Sequence, residues 1–125
     1  GDKTYAPGKW TVKEILQHLI DTERIFCYRA LTYARGEKNA VLSFEEDDYA
    51  KASEANNRTL QSLAGELMST HLSAFTLFQS FTPDMLQKMC IGFKGKYSVA
   101  SVGFILPGHQ RWHFGILEER YYGLI

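Results

Sequence analysis

His109 and His113 stand four residues apart in the run Gly108-His109-Gln110-Arg111-Trp112-His113. On a helix that spacing stacks two imidazoles on one face, one turn apart. It is a spacing by which a helix offers two nitrogens to one transition metal. Val102, Leu106, Ile116 and Leu117 fall on the same stripe, which turns the pair toward a core and away from water. A buried imidazole needs a partner for each ring nitrogen. Backbone groups alone serve two stacked rings badly, and a metal ion serves both.

His18 is the third candidate ligand. It sits at the border of the apolar stripe of its own helix, about 100° from the centre. Three histidines with an open fourth position make the pattern of a catalytic metal site. His71 is the rival, in register with Leu67, Ala74 and Phe78. Depth separates the two, with His18 roughly 10 Å into its helix and His71 roughly 26 Å into the next, at 1.5 Å per residue. The connection over 36–52 can reach up to about 55 Å, enough to cross a bundle, whereas an antiparallel hairpin needs only a short loop. The crossing is therefore preferred. It makes the two helices parallel, leaves His18 and His71 about 15 Å apart in depth, and makes His71 a core histidine with a hydrogen bond. An antiparallel pair would bring His71 into the site.

Two carboxylates near His18 are candidate catalytic groups. Glu23 falls inside the apolar stripe, where a carboxylate is costly unless paired. Its expected partner is Arg58, Arg111 or another arginine; the alternative is a role orienting a ligand histidine. Asp21, three residues after His18, could orient or activate water, or be solvated.

The elements that must hold these residues are mostly helical. Residues 1–10 read as a loop with a Pro7-Gly8 turn. Thr11 is the natural N-cap of a first helix, and Glu14 stands where a capping box wants it. That helix should run to about Arg35 and stop at Gly36. Its stripe is Val12, Ile15, Leu16, Leu19, Phe26 and Ala30. The acidic run Glu45-Glu46-Asp47-Asp48 is expected in a solvated loop. A second helix is expected over 53–81, with Leu60, Leu63, Ala64, Leu67, Ala74, Phe75 and Phe78 inward, ended by Thr82-Pro83. A short helical turn and a small hairpin or extended loop over Cys90–Tyr97 should follow. Ser98 can cap a last helix to about Tyr122, kinked where Pro107 clashes with the carbonyl of Gly103. Three long amphipathic helices imply an all-α bundle. Three is an awkward number, so a further helix upstream or a second chain is expected to supply the missing face.

The chain has 125 residues and a formal net charge of zero, which suits one domain and gives no basic footprint for nucleic acid. Cys27 and Cys90 are far apart and are expected to be free thiols in a reducing cytoplasm. Cys27, nine residues after His18, should face away from it. No apolar run approaches the ~20 residues of a membrane span, and no leader pattern is visible. The chain begins with Gly and not Met, which reads as a cleavage scar, a trimmed fragment or a start lying further upstream.

Gly8-Lys9-Trp10-Thr11-Val12-Lys13-Glu14, then His18-Leu19-Ile20-Asp21-Thr22-Glu23-Arg24, then Gly108-His109 with His113 and Ile116-Leu117, resemble the DinB/YfiT-like superfamily from Pro7 to Tyr121. The resemblance implies a four-helix bundle with a long crossover between its second and third helices, the first helix lying before Gly1. It implies a divalent metal, typically nickel, zinc or manganese, held by three histidines whose positions match His18, His109 and His113, leaving His71 out. Two features depart from the pattern: Trp112 stands where the family often has a further His, and Pro107 replaces a small helix former. The resemblance fixes no single reaction. The expected function is a metal-dependent enzyme acting on a small molecule, by transfer of a low-molecular-weight thiol or by hydrolysis. The alternative is a non-catalytic, stress-associated protein with a structural or sensing metal site. A homodimer is the expected assembly, with neither nucleic acid nor membrane as partner.

Overall fold

The computed structural model describes the backbone of residues 10–92 and 95–116, with side chains through residue 107. Helix α1 spans Val12–Ala34. Its start is the expected capping box: the Thr11 side chain accepts from the Glu14 N–H, and the Glu14 carboxylate accepts from the Thr11 N–H. Arg35 caps its C-terminus, and Gly36 follows at φ 100°, a left-handed value that glycine adopts without strain.

The connection that follows is not all loop. The acidic run builds α2 (Glu46–Ala52), with Glu46, Asp47 and Asp48 in its first turn. Negative charge there is favoured by the helix dipole, which is why the run folds instead of remaining a solvated loop. A 3₁₀ turn, Ala55–Asn57, leads to α3 (Leu60–Gln79), capped by Thr59. The single helix expected from residue 53 is thus divided, and it starts later.

Helices α1 and α3 run parallel, as the crossover expectation required. Contacts climb both helices together: Thr11 donates to Asn56 at 2.6 Å, Arg58 donates to Gln17 at 2.9 Å, and Arg24 pairs with Glu66. The inward face of α3 differs from the expected one. Leu63, Thr70 and Ala74 are buried, whereas Ala64 and Phe75 are exposed. Met68, Leu72 and Phe75 form an exposed apolar row, each more than half accessible. The helix is apolar on two sides, so periodicity alone did not fix its rotation.

Helix α4 (Pro83–Leu86) is one capped turn. Strands β1 (Met89–Gly92) and β2 (Gly95–Ser98) form the expected antiparallel hairpin, with Met89 opposite Ser98 and Gly92 opposite Gly95. Helix α5 (Val99–Ile116) follows, with Pro107 inside it. Ser98 caps it, its hydroxyl accepting from the Ser101 N–H at 3.1 Å. The expected extension to Tyr122 lies outside the described residues.

Helix α5 runs antiparallel to α1. Val99 and Val102 at its start share the main core with Ala30, Tyr33 and Ala34 at the end of α1, while Leu106 and Pro107 line one cleft with Glu23. Cys90 is fully buried in that core, and both cysteines are free thiols. Among the described residues, no helix is long and apolar enough to cross a membrane.

Candidate metal centre

His18 is 4% exposed although it stands at the border of the α1 stripe. Two neighbours explain the burial. The indole of Trp10 lies against the imidazole, ring centroids 4.8 Å apart. Trp10 is itself anchored to α2, its Nε1 donating to Asp47 at 3.0 Å. On the other side, Thr22 Oγ1 lies 3.3 Å from His18 Nδ1. Thr22 is one turn along α1, the spacing at which helical side chains meet. An imidazole engaged at Nδ1 has a fixed ring orientation and presents Nε2 as its metal-binding nitrogen. Trp10 and Thr22 were absent from the sequence-based site, although an i, i+4 Thr–His pair is a readable signal.

His109 and His113 both fall within α5, so their backbones stand one helical turn apart as expected. Their side chains, and that of Arg111, lie outside the described residues. The backbone register still bears on the site. Measured from the level where Leu106 and Glu23 line the same cleft, residues 109 and 113 lie roughly 4.5 and 10.5 Å further along α5. His18 lies roughly 7.5 Å along α1 in the same direction, a level between the two.

The candidate carboxylates are arranged differently from each other. Asp21 accepts from Gln17 Nε2 at 3.0 Å and lines a polar recess with Tyr49, Ser53 and Arg58. Burial is the largest influence on its carboxyl and pushes its pKa up, against the Gln17 hydrogen bond that pulls it down. Glu23 is 1% exposed. Its partner on α3 is His71, Nδ1 to Oε1 3.4 Å. Arg58, an expected partner, is instead bonded to Gln17, Ser62 and Glu66. Glu23 stands five residues after His18, about 140° round the helix, so the two side chains leave α1 on different sides.

His71 is not the core histidine expected from its stripe. Its side chain is 56% exposed, because α3 turns its Met68-Leu72-Phe75 side outward. Parallel packing pairs it with Glu23, roughly 7.5 Å above the level of His18 and not the expected separation of about 15 Å, because α3 starts later than expected. Cys27 faces α3, lining a pocket with Thr70 and Ser73, away from His18 as expected.

The donor set suits a divalent ion. His18 is a buried imidazole with an oriented ring, and the two α5 positions keep the helical spacing that two ligands on one helix need. No group of three or more potential ligands occurs among the described residues alone, since two of the three candidates lie outside their side-chain range.

Comparison with known proteins places the architecture. The solved structure of YfiT from Bacillus subtilis superimposes with a TM-score of 0.84 over 98% of this chain and 71% of that one, at 17% identity. That protein is described as a candidate metal-dependent hydrolase with an unusual four-helix bundle topology, and the likeness establishes the same all-α, four-helix-bundle fold here. A protein of Geobacillus thermodenitrificans, named as a candidate metal-dependent hydrolase, is 26% identical over 109 residues. The match covers 87% of this chain and 60% of that relative's length. The profile of the DinB superfamily matches residues 1–117, and the chain belongs to that superfamily.

Proposed function

We propose that this chain carries the metal centre of a divalent-metal-dependent hydrolase acting on a small molecule, with His18, His109 and His113 as ligands. The observation that carries the reading is His18 itself: buried, stacked on Trp10, and engaged by Thr22 through Nδ1, at a level between the two α5 positions. The names of the relatives support hydrolysis over transfer of a low-molecular-weight thiol.

Nickel, zinc or manganese at this centre would supply a nucleophile near neutral pH by acidifying water or a thiol. The chain's own residues do the rest. Thr22 holds the His18 ring, and Trp10 keeps water from its face. Asp21 is the candidate proton acceptor, a carboxylate whose basicity burial raises. Glu23 is engaged by His71.

The test is metal analysis by mass spectrometry of natively purified protein beside four variants. His18→Ala, His109→Ala and His113→Ala should each lose the metal, and His71→Ala should keep it. Ester hydrolysis and thiol transfer are then assayed on the loaded protein. Metal-free wild-type protein that also binds no added zinc, nickel or manganese, or metal loss with His71→Ala alone, would overturn the assignment.

A further inference from the structure

The second half of α1 and the irregular segment 40–44 that leads to α2 enclose an open hollow of about 550 Å³. Ile25 and Tyr28 on α1, Val41 and Phe44 on the segment, and Tyr49 on α2 give it apolar and aromatic walls. Three ties hold the segment in place over α1. Arg29 Nη2 donates to the Leu42 carbonyl at 2.8 Å. Val41 packs against the main core. The ring of Phe44 meets that of Tyr49, centroids 5.0 Å apart. Tyr28 and Tyr49 are nonetheless 61% and 47% exposed, so both rings have apolar surface left to bury.

Two arginines and no carboxylate line this hollow among the described residues. Arg24 is matched by Glu66. Arg29 is not matched in this way. Among the described residues its partners are the Leu42 carbonyl, the Tyr97 side chain and the rings of Phe26 and Phe44, 5.2 and 5.8 Å from its guanidinium carbon. Burial holds Tyr97 in its neutral form, so none of these cancels the charge. A partly buried guanidinium without a counter-ion favours an anion beside it. It carries more N–H donors than the one that Leu42 takes, and its planar fork suits a carboxylate. Benzene fills an apolar cavity of about 150 Å³, which leaves room here for a body of about two fused rings. We infer that the hollow is a binding site for an organic carboxylate with a flat apolar body, its acid group on Arg29 and its body against Tyr28, Phe44 and Tyr49. Arg29 lies roughly 16 Å along α1 from His18, and the site is independent of the metal centre and of the proposed hydrolysis.

Naphthoate is the probe, followed by amide chemical shifts of the isotope-labelled protein. Naphthylmethanol serves as the neutral isostere and naphthylmethylamine as the cation. Saturable shifts are expected at Tyr28, Arg29, Leu42, Phe44 and Tyr49, with naphthoate at least about tenfold tighter than the alcohol and the amine weaker still, as a charge-assisted bond implies. Arg29→Gln, whose amide can still donate to the Leu42 carbonyl, should remove that tenfold preference, and Arg24→Gln should keep it. Tyr28→Ala, at an exposed position where folding is safe, should weaken acid and alcohol alike by about threefold through lost ring packing. Chelator should change nothing. Equal binding of acid and alcohol, or no shifts at all, would overturn the inference. So would a preference that survives Arg29→Gln or is lost in Arg24→Gln, which would move the acid group off Arg29. Shifts abolished by chelator would put the carboxylate on the metal and overturn it too.

Discussion

The Oγ1 of Thr22 lies 3.3 Å from the Nδ1 of His18, one turn down the same helix. The contact makes the orientation of this imidazole a local property of α1, set before any other helix arrives. Thr22→Val keeps the shape and burial of the side chain and removes the hydroxyl. Metal affinity should fall by about 10–100-fold, the usual cost of losing a partner behind a ligand histidine. Calorimetric titration with zinc measures it, beside a denaturation curve that should move little. Unchanged affinity would show that Thr22 does not orient the ring.

Thr11 joins three segments. Its hydroxyl accepts from the Glu14 N–H, completes the cap of α1, and donates to Asn56 before α3. Thr11→Ala removes both bonds, and Thr11→Ser keeps them. The alanine variant should lose about 1–2 kcal/mol of stability, read as a lower urea midpoint. Serine should restore most of it.

Acid stability should depend on two carboxylates with opposite signs. Hydrogen bonds from Arg58, then Arg24, hold Glu66 below the usual glutamate range. Its contribution is present above the unfolded-state pKa and lost as pH falls through the lower folded value. Asp21 is held above its usual range, chiefly by burial. Its contribution is present below the unfolded-state pKa and lost as pH rises through the raised folded value. Urea midpoints across pH should therefore show Glu66→Gln with a weaker acid-side loss than wild type. Asp21→Asn should be more stable than wild type at neutral pH, and the gain should vanish in acid. A gain that persisted in acid would point to packing, not ionisation.

Burial pushes both thiols, Cys27 and Cys90, up to about 11, with the charge of Glu23 adding to the effect at Cys27. The thiolate is the reactive form, so neither thiol should be a nucleophile at neutral pH. Reaction with Ellman's reagent at pH 8 should be at least about tenfold slower in folded protein than in urea. One rapidly titrating equivalent would contradict this.

Much of the architecture was legible because its signals are local. The Thr11–Glu14 capping box, the Gly36 stop, the Ser98 cap and the His109–His113 spacing each depend on residues within about a turn of one another. Even the parallel course of α1 and α3 could be argued from connection length, since chain reach is a property of the sequence. The acidic run was misread for a local reason too: its charges suit a helix start as well as they suit water.

What required tertiary structure was which side of a two-faced helix turns inward. Helix α3 is apolar on two sides, and packing on α1 buried Leu63, Thr70 and Ala74 while leaving Phe75 and His71 outward. That rotation gave Glu23 a histidine partner on α3, and it opened the cleft between α3 and α5. His18 is likewise covered by Trp10, which is tied to Asp47 across the fold. The sequence determined the candidate ligand types, their spacing and the helices that bear them. Only packing decided their neighbours, because burial at a stripe's border depends on what the rest of the chain lays against it.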